Sequence, residues 1–106
     1  MYFDYLKERE GKEHFETERG FMVYKLAGEE CHLAEIYLKP EHRASGEFES
    51  MIVGLASMAR SNGCKVISAN VDLSDKGASR NVAAGLKVGF RIINAHNNII
   101  LLVKEL

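Results

Sequence analysis

Apolar and polar positions recur with different periods along the chain, and the first third predicts one helix and three strands. Apolar side chains share one side of a short helix over residues 2–10, which Gly11 ends because glycine readily adopts the backbone conformation of a helix C-terminus. Strand-forming residues fill Phe21 to Leu26 and Cys31 to Leu38, with three turn residues between them. This pattern predicts an antiparallel hairpin, preceded by a short strand around residues 14–18.

The middle of the chain predicts a helix between two strands. Pro40 ends the second hairpin strand because it has no N–H for the ladder, and residues 41–46 form a loop. Between Gly46 and Ser61 apolar residues return every three or four positions, the period of an amphipathic helix: Phe48, Met51, Ile52, Leu55, Met58 and Ala59. Asn62-Gly63 ends the helix, and Lys65 to Val71 predicts a buried strand reached by a right-handed helical crossover.

The last third predicts a second helix and a terminal hairpin. The helix covers Ala78 to Lys87, after a polar loop, and Gly89 breaks it. The hairpin strands are Phe90 to Ile93 and Asn98 to Lys104, joined by an Asn-Ala-His-Asn turn. The order (α)βββ-α-β-α-ββ predicts an α+β fold, a mixed α/β sheet with helices on its faces, in one domain over residues 1–106.

Composition and charge restrict the class of partner. With 46% hydrophobic residues among 106, the chain can bury a core, and a formal net charge of -1 gives no reason to expect nucleic acid or an anionic membrane as a partner. The longest apolar run, Ile99 to Val103, is far short of a bilayer span. Two cysteines without CxxC spacing favour reduced thiols, and the four histidines have no metal-ligand spacing. We therefore expect a soluble cytoplasmic protein without a metal site.

The loop before the long helix is the first candidate for ligand binding. It reads Arg43-Ala44-Ser45-Gly46-Glu47-Phe48, and a glycine that opens a helix leaves unpaired backbone N–H groups at the positive end of the helix dipole. Such a turn binds phosphate, and Arg43 can add a bidentate contact. The alternative is an ordinary helix start whose first turn contributes Phe48 to core packing.

Three segments together resemble the GNAT superfamily of acetyltransferases. They are residues 34–46 (AEIYLKPEHRASG), 63–67 (GCKVI) and 86–90 (LKVGF), and the resemblance covers about residues 21 to 106. The chain looks most similar to the very short members found in bacteriophage genomes, which would place it in the host cytoplasm. The resemblance implies a minimal GNAT fold with a shortened N-terminal helical region, in which acetyl-CoA lies between two splayed parallel strands and its pyrophosphate rests on residues 43–48.

Several positions depart from the family pattern. Arg43 and Gly46 match the phosphate loop, but Phe48 stands where the family has Gly or Ala, and Glu47 brings a negative charge towards a negative ligand. The ring of Phe48 either fills the diphosphate space or turns into the core. By the same resemblance the family's tyrosine acid and CoA-binding asparagine fall on Gly85 and Ala78. Ser79, nearby, either contacts CoA or caps the helix.

Glu35 is the candidate for acid–base chemistry. Strict alternation would put Leu33, Glu35 and Tyr37 on one face of a mostly apolar strand. An amine must lose a proton before it attacks a thioester, and a carboxylate can take that proton. In some GNAT enzymes a glutamate matching this position is the base, and the resemblance also gives the main chain of Tyr37 and Leu38 the role of aligning the pantetheine. The alternative is a surface glutamate paired with Lys or Arg on a neighbouring strand.

These observations predict an acyl-CoA-dependent N-acyltransferase that moves an acetyl group from acetyl-CoA to an amine by direct attack. The acceptor, a small molecule or a protein, is not identified by the sequence, and its side of the site is open or completed by a second subunit of a homodimer. The alternative is a GNAT module that has lost catalysis and binds a protein partner. Phe48, Glu47, Gly85 and Ala78 favour this alternative, whereas Arg43, Gly46 and Glu35 favour the enzyme.

Overall fold

The computed structural model describes residues 1–43 and 45–106, which form three α-helices, a short 3-10 helix and six strands. The helices are α1 (Tyr2–Glu10), α2 (Glu47–Ser61) and α3 (Ala78–Lys87), with the 3-10 turn at Pro40–His42. The strands are β1 (Glu13–Glu16), β2 (Gly20–Ala27), β3 (Glu30–Leu38), β4 (Val66–Asp72), β5 (Arg91–His96) and β6 (Ile99–Glu105). The predicted α+β class and element order are confirmed.

One mixed sheet runs in the order β1-β2-β3-β4-β6-β5. All neighbouring pairs are antiparallel except β3 and β4, which are parallel and joined through α2. A parallel pair needs a crossover connection, and the amphipathic period of α2 supplies one whose apolar side faces the sheet. The main core lies between α2 and the sheet: Met22, Cys31, Leu33, Leu38, Met51, Ile52, Leu55, Ala59 and Ile67 are among its buried residues.

Helix α1 contacts β1, which is an edge strand of the sheet. Its one buried residue is Leu6, and Gly11 ends it in the left-handed conformation at φ 66°. Leu6 and Val23 are both buried but belong to no part of the α2 core. We therefore describe the two faces of β2 and β3 as the α2 face, which carries Met22, and the α1 face, which carries Val23.

Element ends differ from the sequence prediction in two places. The first strand covers Glu13–Glu16, so it begins and ends earlier than residues 14–18. The last turn is Asn97-Asn98, with φ of 50° and 65°, and not residues 94–97. Two consecutive residues at positive φ match the twist of a two-residue hairpin, and asparagine tolerates that conformation, so strand pairing extends to His96.

The prediction that Ser79 caps α3 is wrong, because the helix begins one residue after Gly77 at φ 84° and no side chain caps it. Ser79 lies inside the first turn and is exposed. Glycine adopts this backbone without the steric cost of a Cβ atom, so the turn geometry replaces a side-chain cap.

Candidate active site

Strands β3 and β4 are paired at one end and separate at the other. Their parallel register stops at Leu33 opposite Ala69, whereas β3 continues to Leu38 beside β2 and β4 continues to Asp72 beside β6. Each strand thus keeps its outer neighbour and loses its inner one. A crevice of about 320 Å³ occupies the opening between them. We call this opening the fork.

The fork is open to both faces of the sheet. Phe21, Glu35, Tyr37 and Asn70 line it, and so do Phe48 at the start of α2 and Ala78, Asn81 and Gly85 of α3. A slender ligand lying in the fork can therefore contact the start of α2 and reach Glu35. Ser79 is not among the described residues that line the fork, whereas Asn81 of the same helix is.

A β-bulge at Ala34 sets which way Glu35 faces. Tyr24 pairs with Leu33 and Val23 pairs with Glu35, so Ala34 has no cross-strand partner. An extra residue in one strand reverses the alternation beyond it. The predicted grouping of Leu33 with Glu35 is therefore wrong: Leu33 is buried in the α2 core, and Glu35 is exposed on the α1 face.

Glu35 is bound by a residue that sequence analysis missed. The hydroxyl of Tyr2 in α1 donates to the Glu35 carboxylate, with oxygen–oxygen distances of 2.9 and 3.0 Å. This hydrogen bond, followed by partial desolvation and the negative charge of Glu35, raises the pKa of Tyr2 above its ordinary value. The alternative, a Lys or Arg partner on a neighbouring strand, is wrong among the described residues, since no ion pair there includes Glu35. A separation of 33 residues leaves no local signal for the contact.

The start of α2 keeps the features of an anion site. Gly46 precedes the helix at φ 85°, and a Cβ atom built there meets nothing within 4 Å. The first helical N–H groups point along the helix axis without partners inside the helix. Glu47, which the sequence analysis counted against phosphate, forms a salt bridge with Arg19 from the β1–β2 connection. This pairing offsets the negative charge of Glu47 beside the helix start.

The remaining loop residues are held by local contacts. Nε of Arg43 donates to the carbonyl oxygen of Leu38 at 3.0 Å, and its guanidinium lies 5.7 Å from the ring centre of Tyr37. The Ser45 hydroxyl donates to the carbonyl oxygen of His42 at 2.6 Å. Arg43 is therefore anchored at the end of β3 through one nitrogen. Ala44, also predicted to bind the cofactor, lies outside the described residues.

Phe48 and Gly85 define the inner wall of the fork. Phe48 is half-buried and packs against the α2 core, so its ring is part of the core and of the fork lining at once. Gly85 is buried, and a Cβ atom there would lie 3.4 Å from Cδ1 of Leu102. A small residue at position 85 therefore lets α3 pack close to Leu102 of β6, and no tyrosine hydroxyl is present there.

Two carboxylates lie at the α3 end of the fork. Asp72 ends β4, and hydrogen bonds from the Ser74 hydroxyl and backbone N–H lower the pKa of its carboxyl group. Asp75 follows in the same turn and also lines the fork. These contacts are typical of a turn that positions the start of α3.

A Ser-His-Glu cluster lies at the closed end of the fork, on the α1 face. Nδ1 of His32 is 2.8 Å from the Ser68 hydroxyl, and that hydroxyl donates to Glu30. In a nucleophilic triad the histidine accepts the serine proton and the carboxylate binds the histidine. Here the Glu30 carboxylate, and not the histidine, accepts the hydrogen bond from the Ser68 hydroxyl. The cluster therefore ties β3 to β4 and does not activate Ser68.

The described residues contain no group of three or more His, Cys, Asp or Glu side chains placed to hold a metal ion. None of the helices described in residues 1–43 and 45–106 is long and apolar enough to cross a membrane.

Solved structures with the same arrangement of elements are acetyltransferases. The chain superposes on PaiA N-acetyltransferase from Thermoplasma acidophilum in complex with coenzyme A with a TM-score of 0.76 and 18% identity, over 83% of this chain and 54% of that one. A GNAT family acetyltransferase from Elizabethkingia anophelis with acetyl-CoA bound gives 0.74 and 18%, over 90% and 76%. The chain has the GNAT fold.

A third solved acetyltransferase gives a similar superposition. A Bacillus subtilis acetyltransferase in complex with CoA gives a TM-score of 0.73 at 16% identity, over 97% of this chain and 83% of that one. No family model matches the sequence, and no curated protein matches it either. The chain spans about half the length of the Thermoplasma enzyme, and the shared feature is the fold.

Proposed function

We propose that this chain transfers an acetyl group from acetyl-CoA to a primary amine. The observation that carries the proposal is the fork, which connects the start of α2 to Glu35 through the sheet. GNAT structures that this chain resembles are described with CoA or acetyl-CoA bound. The start of α2 would hold the pyrophosphate, and the fork would hold the pantetheine arm.

The residues of the fork have separate roles in this proposal. Arg43 and the first N–H groups of α2 bind the phosphates, with Ser45, Gly46 and Glu47 forming the turn around them. The main chain of Tyr37 and Leu38 aligns the pantetheine and polarises the acetyl carbonyl. Asn81, which lines the fork from α3, replaces Ser79 as the polar contact from that helix.

The reaction is a direct acyl transfer. Glu35, or a water molecule that it orders, takes a proton from the ammonium group of the acceptor. The free amine nitrogen forms a bond to the acetyl carbon, the carbon–sulfur bond breaks, and the nitrogen loses its second proton to water. The departing CoA thiolate takes a proton from water, since position 85 has no acid. The products are an N-acetyl amine and CoA.

Titration with acetyl-CoA tests the proposal. We expect a saturable heat of binding and a thermal shift, because ligand at 100 times its Kd stabilises a fold by about 2.7 kcal/mol. Gly46→Ala should weaken binding, since the added Cβ strains the φ of 85° and enters the open phosphate space. Gly28→Ala is the matched control: its φ is 60° and its space is also open, but it lies in the β2–β3 turn. Absence of heat and shift at millimolar acetyl-CoA would contradict the proposal.

A second candidate function is a GNAT module that has lost catalysis and binds a protein partner. Two positions favour this candidate. Phe48 packs against the core where the family pattern has a small residue, and Gly85 packs near Leu102 where the family pattern has a tyrosine. It predicts no acetyl-CoA binding in the same titration. The resemblance to short bacteriophage members, the cytoplasmic location and the homodimer stay predictions from the sequence.

A further inference from the structure

Four aromatic rings on the α1 face form a continuous chain that begins and ends beside Glu35. Ring centres are 5.6 Å apart for Tyr2 and Phe3, 5.3 Å for Phe3 and Phe21, and 5.7 Å for Phe21 and Tyr37. Tyr2 donates to Glu35, and Tyr37 is two residues from Glu35 on the same face of β3. These five side chains therefore close a ring, which we call the aromatic cup.

The cup covers a buried valine, and its two tyrosine rings are accessible from outside. Val23, the cross-strand partner of Glu35, is 1% exposed and lies on the same face. Tyr2 and Tyr37 are 49% and 43% exposed, although both carry large apolar rings. Phe21, Glu35 and Tyr37 also line the fork, so these three side chains join the cup to the fork on the α1 face.

Glu35 has capacity for another donor. Tyr2 has a single hydroxyl proton to share between two carboxylate oxygens, and an ionised carboxylate accepts about four hydrogen bonds. Glu10, the other carboxylate whose charge acts on Tyr2, pairs with Lys12. An ammonium group entering the cup would therefore find one carboxylate surrounded by aromatic rings.

We propose that the aromatic cup is the acceptor site and that it selects arylalkylamines, primary amines whose nitrogen is one or two carbons from an aromatic ring. This proposal rests on the acetyl transfer proposed above and names its acceptor class. The ammonium binds Glu35, and the aryl group packs on Phe21 and Tyr2, where ring pairs prefer centre distances of about 4.5–7 Å. Arg43 already lies over Tyr37, so that ring serves as a wall and not as the cation-binding face.

Polyamines are the competing acceptor class for this surface. A second cation would need a second carboxylate, and Glu16 on β1, opposite Phe21, is the candidate. It lies two strands from β3, or about 10 Å across the sheet. A polyamine would pass over Phe21 without filling the cup. It would therefore make less contact with the aromatic rings than an arylalkylamine does.

An NMR titration with 2-phenylethylamine in the absence of acetyl-CoA tests the cup independently of catalysis. We expect its Kd to be at least tenfold lower than those of propylamine and 2-phenylethanol, which lack the ring and the ammonium respectively, and lower than that of spermidine. Phe21→Leu should raise the Kd of 2-phenylethylamine at least fivefold and leave that of propylamine unchanged. Phe15→Leu is the control, since Phe15 is also a strand phenylalanine but lies on β1 outside the cup; it is more exposed than Phe21.

Three results would overturn the proposal. Propylamine or spermidine binding as tightly as 2-phenylethylamine would refute aromatic selection. NMR chemical-shift changes confined to residues away from Tyr2, Phe21 and Glu35 would place the amine elsewhere. Binding of 2-phenylethylamine in the cup by a protein that does not bind acetyl-CoA would refute the acceptor role, and in that case the failed step is the proposed function itself.

Discussion

Substitution of Gly20 by alanine should damage both the sheet and the fork. Gly20 is the first residue of β2, is buried and pairs with Leu38. Its φ lies outside the left-handed region, so the restriction comes from space: a Cβ atom would lie 2.0 Å from the carbonyl oxygen of Tyr37 and 3.0 Å from Cα of Leu38. Both contacts are to backbone, which cannot rotate away as a side chain can.

The expected cost follows from that geometry. Overpacking of this kind destabilises by about 1–3 kcal/mol, and loss of a ladder hydrogen bond adds about 1 kcal/mol. The gain from replacing glycine in the unfolded chain offsets less than about 1 kcal/mol. Gly20→Ala should therefore lower the free energy of unfolding by roughly 1–3 kcal/mol. It should also weaken acetyl-CoA binding, because the displaced carbonyl of Tyr37 belongs to the end of β3 that lines the fork.

Urea unfolding followed by circular dichroism measures the first effect, and calorimetric titration measures the second. Gly54→Ala is the control, because Gly54 is exposed in the interior of α2 and its Cβ would meet nothing within 4 Å. Alanine there should raise stability by about 0.5–1 kcal/mol without changing affinity. A Gly20→Ala protein within about 0.5 kcal/mol of the wild type would refute the close approach of β2 to β3 on which this reasoning depends.

Three further substitutions test separate parts of the molecule. Phe48→Ala should lower the free energy of unfolding by roughly 2–3 kcal/mol without tightening acetyl-CoA binding, because the ring packs against the core; tighter binding at unchanged stability would contradict this. Glu35→Gln should lower turnover about 100-fold while leaving the Kd of acetyl-CoA unchanged, and an active variant with an unaltered pH profile would remove Glu35 from the mechanism. Burial raises the pKa of the Cys31 thiol from 9.0 to about 11, so the unfolded chain loses this proton first and stability falls by roughly 2 kcal/mol between pH 9 and 11. In urea unfolding measured from pH 9 to 11, Cys31→Ala should remove this contribution to the loss of stability. An unchanged dependence of the free energy of unfolding on pH would contradict the attribution to Cys31.

The helices and most strands could be predicted because their signals are local. The three-and-four spacing from Phe48 to Ala59 reflects the side of α2 that the core buries, and Gly11, Gly63 and Gly89 stop their elements at positive φ of 66°, 80° and 98°. Pro40 ended β3 for an equally local reason, since it lacks an N–H group. Each of these features depends on one residue or on one helical repeat.

The orientation of Glu35 was decided by tertiary structure. Strict alternation grouped it with Leu33, but the bulge at Ala34 puts one residue of β3 out of register with β2 and turns Glu35 to the opposite face. A bulge is a property of two strands aligned side by side, and nothing in the composition of β3 alone marks Ala34 as the extra residue.

The charge and contacts of the candidate site were also decided by tertiary structure. The salt bridge between Arg19 and Glu47 spans 28 residues, and the hydrogen bond between Tyr2 and Glu35 spans 33. Local sequence was enough to predict that a glycine-opened helix follows a strand ending before proline and that a carboxylate lies within that strand. Only the folded chain brought Arg19 to Glu47 and α1 to Glu35, because pairs so far apart along the chain meet only when the sheet order places their elements together.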